Sequence, residues 1–276
     1  MRTEVLTPRA DRKATLTTYI QTKSDKLRPA IVVFPGGAYT HLSWREAEPI
    51  ARVFLAAGFN AFILRYSLLE DTKFPDGALW EASWAVWYVR EHAAEYGIDP
   101  HRVYVVGFSA GGHLAGSIGT RWADPAIRIT PDMPRGMNRP DGMILSYGVL
   151  DGGKYWHDET IGYSVGTLTP TDEQRADATV MNHVDAETCP AFIWHCSDDG
   201  AVPPRNSFLM ARKLDEFNIP YEFHVFPRGG HGIANGTEEV CMENPNLIVE
   251  DAVDWLQMAV DWCLRGGKNE KEVAAV

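Results

Sequence analysis

The chain has 276 residues, 45% of them hydrophobic, with 9 Trp, 10 Tyr and 11 Phe, which is ample for the core of a single α/β domain. A formal net charge of −11 without any cluster of Lys or Arg excludes a nucleic-acid surface. No apolar segment follows Met1-Arg2-Thr3-Glu4 as a signal peptide would require, and no apolar run approaches the ~20 residues that span a bilayer, so no membrane partner is expected. Cys189, Cys196, Cys241 and Cys263 lack the spacing of a zinc site, and a cytoplasmic chain, the expectation here, would keep them reduced.

In chain order, Ala14–Ile20 reads as an edge strand and Ser24-Asp25-Lys26 as a turn. Ala30–Phe34 is a continuous apolar run, the signature of a strand buried on both faces, and it ends in Pro35-Gly36-Gly37-Ala38-Tyr39. Ser43 is placed to cap a helix over 44–57, with Glu46 as its capping-box partner. Phe59–Leu64 is another strand, and residues 79–96 keep a helical apolar rhythm whose aromatics read as packing. Asp99-Pro100 punctuates the chain before the buried strand Val103–Val106.

After a helix containing Leu114–Ile118, residues 124–140 read as loop and Gly142–Val149 as a strand. The stretch 150–190 is polar and weakly patterned, with Trp156, His157, Tyr163 and a helix near 171–177. Irregular segments of that length are often lids, and this one is expected to form a small cap over the strand ends. Ala191–His195 is a strand, 205–217 a helix, and Tyr221–Phe226 a strand nearer an edge. A last helix carries an apolar face from Val249 to Cys263, and 266–276 reads as a polar tail. Strands alternating with helices imply a mostly parallel sheet covered on both faces.

The chemistry concentrates at Gly107-Phe108-Ser109-Ala110-Gly111, which fits the G-x-S-x-G nucleophile elbow. Glycines two residues before and after the serine allow the close backbone approach that a sharp strand-to-helix turn needs. The turn projects the hydroxyl above the sheet and sets the Ala110 N–H beside it. The glycine-rich loop 35–39 follows another central strand, where it would supply the second half of an oxyanion hole.

A serine needs a base, and the base needs a third group to fix its tautomer. His231, between glycines in Arg228-Gly229-Gly230-His231-Gly232, is free to reach the cleft. His224 lies inside a strand, His113 is too near Ser109 in sequence, and His195 reads as a packed neighbour of the acid loop. The acid is Asp198 or Asp199, adjacent residues that cannot both face His231. The order Ser…Asp…His, each on its own strand-end loop, is that of α/β-hydrolases.

Phe34-Pro35-Gly36-Gly37, Glu46-Ala47-Glu48-Pro49, Leu64-Arg65-Tyr66-Ser67, Gly107–Leu114 and Asp199-Gly200-Ala201-Val202-Pro203 together resemble small bacterial α/β-hydrolases of the acetyl esterase or acetylxylan-esterase-like type, close to feruloyl-esterase-type domains. The resemblance covers roughly residues 28–264. It implies one α/β-hydrolase domain over 1–276, with the triad acid on the first residue of D-x-x-V-P, here Asp199. Pro35-Gly36-Gly37-Ala38 stands where hormone-sensitive-lipase-like enzymes carry H-G-G-G, leaving Gly37 or Ala38 as the second oxyanion donor.

The expectation is acyl transfer by Ser109, His231 and Asp199 without metal or cofactor. Tyr39 and Trp156 would line the substrate pocket, and the substrate would be a small ester such as an acetylated xylo-oligosaccharide. A homodimer is left open beside the monomer. The rivals are a dinucleotide-dependent oxidoreductase, which lacks its G-x-G-x-x-G here, a prolyl-oligopeptidase-type peptidase, which lacks its propeller, and an inactive binding protein on the same fold.

Overall fold

Eight strands pair in one sheet, and their register sets where each loop emerges. The computed structural model describes residues 1–22, 25–68 and 76–267. The strands are β1 (Arg2–Leu6), β2 (Thr15–Ile20), β3 (Arg28–Phe34), β4 (Asn60–Arg65), β5 (Ile98–Phe108), β6 (Gly142–Ser146), β7 (Ala191–Cys196) and β8 (Tyr221–Phe226). Their spatial order is β1-β2-β4-β3-β5-β6-β7-β8, with β1 and β2 antiparallel and every pairing from β4 to β8 parallel. This is the α/β-hydrolase arrangement expected from the sequence. Its carboxyl-end loops after β3, β5, β7 and β8 gather on one side.

The helices are α1 (Glu48–Ala56), α2 (Ala78–Glu91), α3 (Ala93–Tyr96), α4 (Ala110–Arg121), α5 (Asp158–Val165), α6 (Asp172–Ala178), α7 (Arg205–Glu216) and α8 (Trp255–Leu264). Alternate side chains of each strand enter opposite faces of the sheet, as a period of two requires. Val32, Phe34, Val103, Val105 and Leu145 pack with Leu79, Leu114 and Met210 on one face. Val33, Val106, Phe108 and Trp194 pack with Phe54, Trp255 and Val260 on the other. Within residues 150–190, Leu150, Val180, Met181, Val184 and Cys189 join the first of these cores, while Ile161 and Ala178 meet Val149 and Val202 in a separate small cluster.

Several expectations need correction. The edge strand at that end is β1, not Ala14–Ile20, which lies between β1 and β4. The strand before the serine begins at Ile98 and takes in Asp99-Pro100, because its register against β3 shifts between Arg28 and Ala30 and the extra residues bulge there. Ser43 makes no capping bond. A short 3-10 turn, Trp44–Glu46, precedes α1 and turns the Glu46 side chain inward. The last helix starts at Trp255 after a 3-10 turn at Glu250–Ala252, and the strand from Gly142 ends at Ser146. Ser24 and residues 268–276 lie outside the described residues. Among those described, no helix is long and apolar enough to cross a membrane.

Candidate active site

Ser109 sits at the joint of β5 and α4 with φ of 52°, the strained left-handed conformation of a nucleophile elbow. The glycines explain how the turn closes. A Cβ on Gly107 would overlap the Gly111 carbonyl, and one on Gly111 would overlap the Phe34 carbonyl. One on Gly112 would come within 2.7 Å of the Gly148 Cα. The elbow is wedged between β3 and the end of β6, so its serine has a fixed position above the sheet.

His231 reaches that serine from the loop after β8. Its Nε2 lies 2.9 Å from Ser109 Oγ and its Nδ1 2.7 Å from Asp199 Oδ2. A carboxylate only accepts, so Nδ1 carries the hydrogen and Nε2 is left to accept from the serine. The edge of the Tyr147 ring packs on the imidazole at 5.0 Å between centroids.

Asp199 is buried after β7. Its Oδ1 accepts from the N–H groups of Ala201 at 3.0 Å and Val202 at 2.9 Å, and Oδ2 accepts also from His195 Nε2 at 3.1 Å. Burial works to raise the Asp199 carboxyl, but the hydrogen bonds from His195 and His231 outweigh it and hold the group well below the usual carboxylate range. Asp198 turns the other way and accepts from the N–H groups of Gly229 at 3.2 Å and Gly230 at 2.8 Å. The two acids thus divide the work: one meets the imidazole and the other braces the loop that carries it.

Loop 35–41 faces the elbow. Gly37, Ala38 and Tyr39 all have positive φ, 126°, 52° and 61°, and the Gly37 carbonyl accepts from Thr40 at 2.9 Å and His41 at 3.2 Å. Among the described residues, the N–H groups of Gly37, Ala38 and Ala110 have no acceptor. Three distant side chains hold this loop. Glu46 accepts from the Gly36 N–H at 2.9 Å and from the Tyr147 hydroxyl at 2.7 Å, and that hydroxyl in turn accepts from the Ala234 N–H at 3.1 Å. Tyr66 donates to the Pro35 carbonyl at 2.6 Å.

The third tie is Tyr39 itself, whose hydroxyl lies 2.8 Å from His113 Nδ1, while His113 Nε2 lies 2.8 Å from the Ala178 carbonyl. A carbonyl only accepts, so Nε2 carries the hydrogen and Nδ1 accepts from the tyrosine. Burial pulls the His113 imidazole down to about 4, which keeps it in this neutral form.

Tyr39 is therefore not an open pocket wall. Its ring is only 3% exposed, edge-on to Tyr66 and His113, and its part is to brace the loop. Trp156 lies half-buried against the Ile161 cluster, with the Arg175 guanidinium 5.2 Å over its ring. The parts that Glu46, Tyr147 and His113 play at the site are not readable from local pattern, since each depends on partners the fold brings together. For Glu46 the local pattern suggests a capping-box partner of Ser43 instead.

His157, just before α5, also neighbours the site. Burial, and then the nearby His231, lower its basicity. The thiols of Cys189 and Cys196 are pushed up to about 12 by burial, so neither offers a rival nucleophile.

The sheet and the hydrogen-bonded Ser109, His231 and Asp199 define an α/β-hydrolase. The BD-FAE family model matches residues 16–214, and the chain belongs to that family of esterase-type α/β-hydrolases. The chain is 36% identical over 217 residues to endo-1,4-beta-xylanase B of Butyrivibrio fibrisolvens, an alignment covering 78% of this chain and 34% of that protein. It is 26% identical over 242 residues to an acetylxylan esterase of Xylanibacter ruminicola, covering 83% of this chain and 45% of that one. These relatives are thus more than twice as long as the matched region. Among solved structures, the acetyl ester-xyloside bifunctional hydrolase of Caldicellulosiruptor lactoaceticus superposes with a TM-score of 0.77 at 32% identity, covering 93% of this chain and 89% of that one.

Proposed function

We propose that the protein is a serine carboxylic-ester hydrolase that removes short acyl groups, acetyl above all, from sugar or xylo-oligosaccharide esters. The observation that carries the reading is the unbroken hydrogen-bond chain from Ser109 through His231 to Asp199. Ser109 attacks the ester carbonyl as His231 takes its proton, and Asp199 holds the ring and stabilises the imidazolium. The N–H of Ala110 and that of Gly37 or Ala38 receive the oxyanion. His231 then hands its proton to the leaving alcohol, and a water activated by the same imidazole releases the acid. The acetyl-sugar part leans on the relatives that bear such names, and the four free thiols suit a cytoplasmic setting.

The test is turnover of a series of p-nitrophenyl esters, then of acetylated xylo-oligosaccharides, with an organophosphonate to label the nucleophile. Rates should be highest on the shortest acyl chains. Ser109→Ala should lower kcat by roughly 10⁴-fold or more with folding intact and should abolish labelling. A folded variant that keeps a substantial share of the activity overturns the assignment. Hydrolysis of aminoacyl anilides in preference to esters would turn it to a peptidase.

A further inference from the structure

We infer that His195 is a positioning residue for the Asp199–His231 pair, a second imidazole that orients the shared carboxylate and restrains its pull on the His231 proton. The inference rests on the serine-hydrolase reading and deepens it. His195 is the penultimate residue of β7, with no solvent exposure, and the acyl-transfer steps give it no part. Its Nε2 faces two acceptors, Asp199 Oδ2 at 3.1 Å and the Val202 carbonyl at 3.0 Å, so that nitrogen carries the hydrogen. Its Nδ1 lies 2.8 Å from Ser207 Oγ, the second residue after the start of α7, and accepts that hydroxyl's proton. Ser207 thereby fixes the tautomer in which His195 donates toward the acid.

Asp199 then has a donor for each of its four lone-pair directions. Two are backbone N–H groups on Oδ1, and the two imidazoles share Oδ2. His195 approaches from the sheet side and His231 from the cleft, so Oδ2 can neither rotate away from the base nor give it all its charge. A donor on the oxygen that faces His231 draws electron density from it and weakens its hold on an imidazolium. Removing that donor should therefore tighten the hold of Asp199 on the His231 proton and narrow the working range of the base at low pH.

The other titratable and charged groups around the pair are Asp198 beside Asp199, Cys196 at the end of β7, His157 before α5, Tyr147 after β6, and Glu46 and Arg45 from the turn before α1, the Arg45 guanidinium lying by Gly232. None of these donates to Asp199.

A buried histidine that merely tied β7 to α7 would affect stability alone, so the experiment reads the base itself. His195→Leu, His195→Gln and Ser207→Ala are compared with the wild type by kcat/KM on p-nitrophenyl acetate across pH, and by the downfield proton resonance of His231 Nδ1–H in the resting protein. His195→Leu should lower kcat roughly 10- to 10²-fold and move the acid limb of the profile up by about half a unit to one unit. The glutamine, whose amide N–H can replace the Nε2 donor, should recover most of both. Ser207→Ala should shift the limb in the same direction by less.

An acid limb that stays at the wild-type position in His195→Leu overturns the inference, as does a glutamine variant no better than the leucine. If the leucine variant does not fold, an unmoved limb and resonance in Ser207→Ala overturn it. The resonance needs no turnover. A wild type that hydrolyses no ester therefore strikes the serine-hydrolase reading, while an unchanged Nδ1–H signal in the variants strikes the role of His195.

Discussion

Two strand-end loops face the same serine and are held in opposite ways. In the acid loop after β7, Asp199 is held by near neighbours, the N–H groups of Ala201 and Val202 and the ring of His195, all within four residues, while Ser197 and Asp198 tie the loop to the one after β8. The oxyanion loop after β3 is tied to others, through Glu46, Tyr66, His113 and, behind Glu46, Tyr147. A self-bracing turn can be stated in five letters of sequence. A loop braced from elsewhere keeps its shape only while several separate elements stay in place.

The sharpest test of the first loop divides its two acids. Asp199→Asn should lower kcat on the order of 10⁴-fold, because the amide favours the wrong tautomer of His231. Asp198→Asn should cost about tenfold or less, since it leaves an acceptor for one of the two glycine N–H groups. Steady-state kinetics on a short acyl ester gives the ranking, and a reversal would assign the acid to Asp198.

The second loop should break at its backbone. A Cβ on Gly37 would overlap the His41 carbonyl, and φ of 126° is closed to a β-branched residue, so Gly37→Val must rebuild the turn. Losing an oxyanion donor costs about 10²–10³-fold in kcat, and KM should change less because the oxyanion forms only on the way to the transition state. Near-wild-type turnover, with circular dichroism showing a folded protein, would place the second donor elsewhere.

The smallest effect is the most diagnostic of the comparison. Glu46→Gln can satisfy only one of its two donors, the Gly36 N–H or the Tyr147 hydroxyl, and leaves the other facing an amide N–H. A loop braced at a distance should then lose roughly 10- to 10²-fold in kcat, a part of a full donor. Labelling of Ser109 by the phosphonate should be slower, and the melting temperature should fall. Unchanged kinetics with a lowered melting temperature would reduce Glu46 to a packing role.

The same contrast explains what the sequence disclosed. Ser109, the Asp198-Asp199 pair and His231 stand in short local patterns whose glycines and spacing have steric causes, so they were legible one motif at a time. The buried strands were legible for the same reason, since Val32 to Phe34 and Val103 to Val106 read as continuous apolar runs. Glu46 reads as the capping-box partner of Ser43 because a capping box is a local pattern, whereas its actual partners, Gly36 and Tyr147, are chosen by the fold. Tyr39 looked like a pocket residue because it follows a glycine loop, and only the positions of His113 and Tyr66 show why it turns inward. β1 escaped notice because an exposed edge strand has little apolar alternation to betray it.

The Tyr39–His113–Ala178 link has a consequence for protein engineering. Ala178 closes α6, so an exchange of residues 150–190 would also replace the carbonyl that fixes the His113 tautomer. A graft across 150–190 is therefore no independent module: a donor segment that leaves that carbonyl out of place frees His113 to turn, and the loop bearing Gly37 and Ala38 loses a brace. Variants of this segment should keep the backbone of residue 178 where it is and vary the residues upstream of it.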